Sequence, residues 1–178
     1  SVTNCVFIGN TASNSGGAVA TQDFSSSTLL QNCTLFDNNA RVGGGSHGVS
    51  SIINSIFWGN TDETGPGERG QIGSISSTSP IKYSCIQGLT TILGNGNISL
   101  NPQFVNPMGA DGMAGTADDD LHLQASSPCR NTGDAMSLPM DECDVDEDSD
   151  TSERLPTDLE GNPRVQGANL DMGAYEHP

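Results

Sequence analysis

Two clusters of carboxylates near the C-terminal end are the residues of this chain best suited to chemistry. The first occupies residues 111–120, where four aspartates accompany two glycines that let the backbone curl tightly. Calcium takes about six to eight oxygen ligands at about 2.3–2.6 Å, and a flexible loop of this kind can supply them. Because three successive acids cannot all face one ion, we predict that Asp111, Asp118 and Asp120 bind calcium. Asp119 is then expected to turn away, and a solvated acidic turn is the alternative.

The second cluster occupies residues 144–153, where carboxylates recur at alternate positions. This alternation resembles the first, third and fifth ligand positions of an EF-hand or dockerin-type calcium loop. The match is incomplete, because Ser149 stands where the sharp-turn glycine belongs and Leu155 stands at the twelfth position instead of glutamate. We therefore predict an irregular calcium site and not an EF-hand. Its predicted ligands are Asp144, Asp146, Asp148 and Glu153.

Acidic residues are concentrated in the C-terminal part of the chain. Residues 1–100 hold five acids and three bases, whereas residues 101–178 hold seventeen acids and three arginines, which is −14 of the total net charge of −16. Such a surface repels nucleic acid and anionic lipid and attracts cations. This charge excludes a nucleic-acid partner and favours Ca2+ as the cofactor. No stretch approaches the roughly 20 apolar residues that a membrane span requires, so we predict none in this segment.

The residues before these clusters form a sequence repeat that must position them. Three segments align without gaps, each led by asparagine and followed by glycines: 4–10, 32–38 and 54–60. A degraded fourth copy follows at 83–88, and the leading asparagines are 28 and 22 residues apart. The runs are short and alternating, they end at turn-forming pairs, and they lack a helical period. A recurring unit of this size predicts a solenoid of stacked β-strands.

Stacking the repeats at about 4.8 Å places equivalent residues over one another. Two rows share one parity and are predicted to form the interior: Cys5, Cys33 and Ser55, and Phe7, Leu35 and Phe57. The row between them, on the opposite parity, is expected to face outward or to pack under loops: Val6, Thr34 and Ile56. A further row is predicted to form a ladder of side-chain amides at a bend: Asn10, Asn38 and Asn60.

Five cysteines permit at most two disulfides. Cys5 and Cys33 could be bridged, but parallel neighbours in register aim their Cβ atoms the same way, which favours two buried thiols. A bridge between Cys129 and Cys143 would brace a segment without periodic structure and contribute about 3 kcal/mol. We predict this second bridge, which leaves Cys85 as a free core thiol.

The motifs resemble those of a known group of proteins. The pattern Asn-Cys-x-Phe-x-Gly-Asn, with an alanine and a Gly-Gly pair behind it, resembles the repeats of bacterial right-handed parallel β-helix surface proteins, polymorphic outer-membrane protein repeats among them. Ordered tail motifs resemble the C-terminal segment of choice-of-anchor Q proteins: Asn101-Pro102-Gln103-Phe104-Val105, the acidic run 111–123, Ser127-Pro128-Cys129, Asp158-Leu159-Glu160-Gly161-Asn162-Pro163-Arg164 and Asp171-Met172-Gly173-Ala174-Tyr175-Glu176. The resemblance implies an exported bacterial protein. Because the group is defined by architecture, the resemblance implies little about activity.

These patterns predict an all-β chain. A right-handed parallel β-helix (solenoid) is expected over residues 1–105, with an irregular, acidic, loop-rich C-terminal cap over residues 106–178. The predicted function is that of a non-catalytic, calcium-stabilised bacterial protein, secreted or at the cell surface, with an adhesive or structural role in a layer or fibre. The chain opens in mid-pattern at Ser1, so we expect upstream coils of the same chain, or self-assembly with a neighbouring subunit, to cover the first strand edges.

The alternative is a carbohydrate-active protein. A polysaccharide lyase of this fold needs a base, and a glycosidase needs two carboxylates about 5–9.5 Å apart. Asp62 and Glu63 form a weak candidate pair, and His47 is expected to be a loop residue instead of a general base. Trp58 could stack on a sugar in a carbohydrate-binding module, but we expect it to pack beneath the insertion at 61–73.

Overall fold

Short strands dominate the computed structural model, which describes residues 1–21, 27–74, 80–92 and 94–178. Within these ranges, helical structure is limited to one short α-helix, α1 (Glu68–Gln71), and one 3-10 turn (Ala135–Ser137). No helix in the described part of the chain has the length and hydrophobicity that a membrane span requires. The chain is therefore all-β in composition, as predicted.

Successive repeats supply equivalent strands. The first repeat contributes β1 (Val2–Thr3), β2 (Val6–Ile8), β3 (Thr11–Ser15) and β4 (Val19–Ala20). The second contributes β5 (Leu29–Gln31), β6 (Thr34–Phe36), β7 (Asn39–Val42) and β8 (Ser46–His47). The third contributes β9 (Ser51–Ile53) and β10 (Ile56–Trp58), and the fourth β11 (Ile81–Lys82) and β12 (Cys85–Ile86). The C-terminal segment adds β13 (Phe104–Asn106) and β14 (Asp120–Leu123).

Equivalent strands pair in parallel and in register. Sheet I has the order β1-β5-β9-β11 and sheet II the order β2-β6-β10-β12, while β3 pairs with β7 and β4 with β8. In sheet II, Phe7 lies opposite Leu35, Leu35 opposite Phe57, and Phe57 opposite Ile86. The alignment of all four sequence repeats, including the degraded copy, is thereby confirmed.

One face of the stacked strands forms the inner core. Cys33, Leu35 and Phe57 are fully buried there, with Cys5 and Phe7 packed against them, so the two predicted interior rows are confirmed. Ser55 is also fully buried. The buried apolar residues of this core are Leu30, Cys33, Leu35, Val49, Ile52, Phe57, Ile72, Ile81 and Ile86.

The opposite face of sheet II is covered by the C-terminal segment. Thr34 and Ile56 are buried. The row that was predicted either to face outward or to pack under loops is therefore covered by other parts of the chain. The antiparallel pair β13–β14 lies over this face, and Phe104 meets Phe36 edge to face at 5.7 Å. We call this second cluster the interface core: Phe36, Ile56, Cys85, Phe104, Leu121, Leu123, Cys129 and Met172.

A buried arginine organises the end of the C-terminal segment. Arg164 donates to the carbonyl of Gly173 at 2.6 Å and lies 3.7 Å from Glu176. Gly173 in turn donates its N–H to the carbonyl of Asn54 at 2.8 Å, and Ala174 donates to the Thr34 hydroxyl at 3.1 Å. A Cβ at Gly173 would come within 2.8 Å of that hydroxyl oxygen, so this close approach requires glycine.

The bend between sheets I and II is built from left-handed residues. Asn4, Asn32, Asn54 and Tyr83 all have φ between 50° and 52°, a conformation that asparagine tolerates better than most residues. At the second and third of these bends, the N–H that follows the bend residue donates to a hydroxyl of the next repeat. The N–H of Cys33 donates to the Ser55 hydroxyl at 3.1 Å, and that of Ser55 donates to the Ser84 hydroxyl at 3.2 Å.

The predicted amide ladder is confirmed at the next bend. Asn38 accepts hydrogen bonds from both the N–H and the side-chain amide of Asn10, at 3.0 and 2.9 Å. Asn60 accepts the same pair from Asn38, at 2.9 and 2.8 Å. Gln71 of α1 accepts from Asn60 in turn, at 3.3 and 2.8 Å, and so ends the ladder with a residue that the repeat does not predict.

Replacing the central rung should destabilise the fold far more than replacing its exposed neighbour. Asn38→Ala removes the hydrogen-bond partner of the Asn10 N–H and side-chain amide, of the Phe7 carbonyl and of the Asn60 side-chain oxygen, and we expect a loss of about 3 kcal/mol in the free energy of unfolding. Asn39→Ala changes the same residue type at an exposed position and should cost about 0.5 kcal/mol or less. Urea unfolding of both variants measures the difference, and equal losses would contradict a structural ladder.

Candidate metal centre

A hairpin presents the second acidic cluster. The N–H of Asp141 donates to the carbonyl of Glu153 at 3.0 Å, and that of Leu155 donates to the carbonyl of Pro139 at 2.9 Å. Leu138 and Leu155 are buried at this base. Residues 141–153, which the base closes, are named the acidic loop. The loop is therefore held at both ends by antiparallel pairing and by apolar contacts.

The acidic loop turns by repeated use of left-handed backbone. Asp144, Glu147 and Ser149 have φ of 51°, 61° and 71°. Ser149 thus adopts the conformation usual for the glycine whose place it takes. Its N–H donates to Oδ1 of Asp144 at 3.1 Å, which folds the loop back on itself. The absence of glycine at this position does not prevent the turn.

The turn gathers the predicted ligands into two overlapping groups. One carboxylate oxygen from each of Asp146, Asp148 and Glu153 lies within 4.8 Å of the other two. Asp144 and Asp146 form the same kind of group with Asp141, which is not one of the predicted ligands. Asp141 lies outside the alternating run, and its burial depends on the hairpin base. The sequence signal that could have identified Asp141 is its position as a carboxylate between the apolar residues Leu138 and Val145.

Like charges in the acidic loop are not balanced by protein cations. The loop holds eight acids and no base. Among the described residues, the ion pairs are made by His122 and Arg164, and none includes an acid of this loop. Burial raises the pKa of the Glu153 carboxyl, and the negative charges of Asp148 and Asp146 raise it further. A divalent cation would relieve this repulsion.

The first acidic cluster, residues 111–120, is organised around a threonine. The Thr116 hydroxyl donates to Asp118 at 2.7 Å and lies 3.4 Å from Asp111. Asp119 was predicted to turn away from the ion; its carboxylate accepts the N–H groups of Gly115 and Thr116, and its place relative to an ion stays a prediction. Hydrogen bonds from Thr116 and from the Ala110 N–H lower the pKa of Asp118.

The side chain of Asp120 contacts a different partner from the side chains of Asp111 and Asp118. Its carboxylate lies 2.7 Å from Nδ1 of His122, while Nε2 of the same ring lies 3.1 Å from Glu160. The ring stacks on Tyr175, with 4.4 Å between ring centroids. Burial lowers the pKa of His122, but the hydrogen bonds to Asp120 and Glu160 raise it by more, so it lies above its ordinary value. Calcium ligation by Asp111, Asp118 and Asp120 stays a prediction.

The cysteines are arranged differently from the predicted bridge. All five lie in described parts of the chain, and all five are free. Cys143 is exposed, whereas Cys129 is fully buried in the interface core, where it meets Cys85. The hydrogen bond between these two thiols, together with burial, raises the pKa of Cys85. The predicted bridge between Cys129 and Cys143 is therefore wrong, because the interface core holds Cys129 in its interior while Cys143 points to solvent.

The candidate catalytic residues lie at different places among the repeats. Asp62 accepts hydrogen bonds from the N–H and hydroxyl of Thr64 and from the N–H of Gly43. Burial raises the pKa of Asp62, but these hydrogen bonds outweigh it and leave the pKa below its ordinary value. His47, expected in a loop, lies in strand β8 and pairs with Ala20. Trp58 is half-buried against the interface core.

Comparison with known proteins identifies no family for this chain. No family model, no curated protein and no solved structure matches the chain.

Thiol accessibility should separate the five cysteines. Cys143 is exposed and should react fast with a small disulfide reagent in native buffer, while Cys33, Cys85 and Cys129 should react only after unfolding. Cys143→Ser should remove one fast-reacting thiol and leave only the partly buried Cys5 to react in native buffer, and Cys129→Ser should change neither. Absorbance of the released thiolate measures both. A native protein with no fast-reacting thiol, and a Cys129–Cys143 peptide pair in mass spectrometry, would contradict the arrangement.

The titration of His122 should depend on its two acidic neighbours. Glu160→Gln removes one negative partner, so the pKa of the ring should fall towards its ordinary value. Proton NMR of the imidazole resonances against pH gives this pKa, with the signal assigned from a His122→Asn variant. Glu63→Gln makes the same change of charge at an exposed position among the repeats and should have no effect. An equal shift in both variants would show that net charge, and not the contact, sets the pKa.

Proposed function

We propose that this chain is a segment of a non-catalytic, extracellular bacterial protein, secreted or at the cell surface, which calcium stabilises. Its role is structural or adhesive, as in a surface layer, matrix or fibre. We further propose that the repeats form a right-handed parallel β-helix and that the C-terminal segment is its cap. The resemblance to β-helix surface proteins and to choice-of-anchor Q segments motivates the location and the handedness.

The parallel pairing of equivalent strands supports the proposed β-helix. Each repeat places its strands on the strands of the next repeat, in register, in sheets I and II. Rows of identical or similar side chains fill the interior and the bends, as stacked coils require. A core of stacked coils lengthens only along the stack and stays narrow. It therefore needs few bulky side chains, which agrees with an aromatic content of 4%.

The observation that carries the calcium proposal is the convergence of five acids on the acidic loop. Two groups of three carboxylates share Asp146, and no protein cation is paired with them among the described residues. Oxygen donors on a flexible loop are the ligands that calcium prefers. Extracellular proteins can rely on such sites because low affinity is sufficient outside the cell.

The unpaired strand edges of the first repeat support the proposal that further strands pair with them. β1 and β2 lie at the ends of sheets I and II, so their outer backbone groups are unpaired within the sheets. Upstream coils of the same chain or a neighbouring copy in an assembly could extend these sheets. Either arrangement suits a structural or adhesive protein, whose function depends on length and attachment.

The contacts of Asp62 and of Glu68, another acid of the same insertion, support a non-catalytic role. Asp62 holds a turn, and Glu68 accepts the N–H groups of Thr90, Thr91 and Ile92. Burial raises the pKa of Glu68, but hydrogen bonds from Thr91 and its neighbours bring it below its ordinary value. A general acid needs a raised pKa, and these carboxylates have lowered ones.

Calcium should raise the melting temperature of this chain, and the shared acid should be needed for most of the effect. At a calcium concentration about 100 times Kd, the stabilisation is about 2.7 kcal/mol, which corresponds to a shift of about 5–10 °C for a chain of this size. Asp146→Asn should lose most of the shift, because Asp146 belongs to both groups.

Differential scanning calorimetry in calcium and in chelator measures this shift. Glu142→Gln is the matched control, since Glu142 is an exposed acid of the same loop that belongs to neither group. The control should keep the full shift. Equal melting temperatures of the unmodified chain in calcium and in chelator would contradict the calcium proposal.

A further inference from the structure

A fully buried carboxylate lies at the base of the acidic loop. Asp141 is 1% exposed, and its Oδ2 accepts the N–H of Val145 at 2.9 Å. Its Oδ1 has no hydrogen-bond partner in the described ranges, and none of the ion pairs found there includes it. A buried charged oxygen without a partner is unfavourable, so it indicates a ligand.

Two more carboxylates face the same point. One oxygen from each of Asp141, Asp144 and Asp146 lies within 4.8 Å of the other two. Ligands on opposite sides of one calcium ion are about 4.8 Å apart, since each lies about 2.4 Å from the ion. The three oxygens are therefore close enough to bind one ion together.

A cation satisfies this arrangement better than a proton or a water molecule. A proton on Asp141 would neutralise one charge and leave Asp144 and Asp146 to repel each other. A water molecule could donate to the unpartnered oxygen, but it would neutralise no charge. A divalent cation supplies the missing partner of Asp141 and also offsets two negative charges.

We propose that Asp141, Asp144 and Asp146 form a calcium site at the base of the acidic loop. A second calcium ion is held beside it by Asp146, Asp148 and Glu153, so that the carboxylate of Asp146 bridges the two ions. This assignment rests on the proposed function, because it distributes the calcium proposed there between two sites.

Each of the two proposed sites has one ligand at the hairpin base. The N–H of Asp141 donates to the carbonyl of Glu153, which places one ligand of each site on adjacent strands. Oε1 of Glu153 is also buried and without a hydrogen-bond partner among the described residues. Asp141 is the fully buried ligand of the five, so the site that contains it fastens the loop to the buried residues Leu138 and Leu155.

The test is calcium stoichiometry of the full 178-residue chain, measured by isothermal titration calorimetry after removal of metal. Asp141→Asn should bind one calcium fewer than the unmodified chain, Asp148→Asn should also bind one fewer, and Asp146→Asn should bind two fewer. Glu142→Gln, the exposed neighbour of Asp141, should bind the full number.

Melting in chelator and in calcium separates a ligand from a merely structural carboxylate. Asp141→Asn removes a buried, unpaired charge, so in chelator it should melt at or above the temperature of the unmodified chain. In calcium the order should reverse. Full calcium stoichiometry in Asp141→Asn, or a lower melting temperature in both buffers, overturns the assignment of Asp141. Calcium binding by no form of the chain, unmodified chain included, would instead overturn the proposed function itself.

Discussion

The structure depends on satisfying the backbone at the bends of each repeat. Strands of two or three residues pair along sheets I and II, but the N–H groups at the bends between these strands lie outside that pairing. Side chains of the next repeat accept them: the amides of Asn38, Asn60 and Gln71 at one bend, and the hydroxyls of Ser55 and Ser84 at another. An unsatisfied buried N–H costs about 1–3 kcal/mol, which is comparable to a whole side chain in so narrow a core. Polar residues at fixed repeat positions therefore matter as much as apolar ones.

The C-terminal segment adds a second layer that the repeats alone do not provide. Sheet II has two apolar faces, and its outer face would be exposed without β13, β14 and the residues around Met172. The N–H of Gly173 donates to the Asn54 carbonyl, and the Arg164 side chain donates to the Gly173 carbonyl. Burial raises the pKa of Glu176 to about 8, although the charge of Arg164 opposes the rise. The segment is thus a part of the fold, with its own core and its own buried ion pair.

The acidic loop lies at the surface of this second layer and concentrates charge that its surroundings do not offset. Eight acids share thirteen positions, and five of them have carboxylates that converge. Repulsion of this kind is stable only where solvent screens it or a cation compensates for it. Solvent screens the exposed acids Asp146 and Asp148 in part, whereas Asp141 is buried. The burial of Asp141, more than the number of acids, is the observation that indicates a bound cation.

The stacking of the repeats and the identity of the rows could be predicted from the amino-acid sequence. This is possible because strands that pair in register place each residue on its equivalent, so the period and the parity of Cys33, Leu35 and Asn38 are sufficient to assign them. The acids of the second cluster were also identified, since alternation along a short loop brings Asp144 and Asp146 together locally.

Only the tertiary structure decided which distant residues complete these local patterns. Gln71 ends the amide ladder from a helix that breaks the repeat, and Cys129 meets Cys85 because the interface core carries it there. Asp141 is buried by pairing with Glu153 at a hairpin base, and His122 contacts Glu160 and stacks on Tyr175. Each of these contacts joins segments without a common period, so its geometry follows from packing and has no counterpart in the spacing of residues.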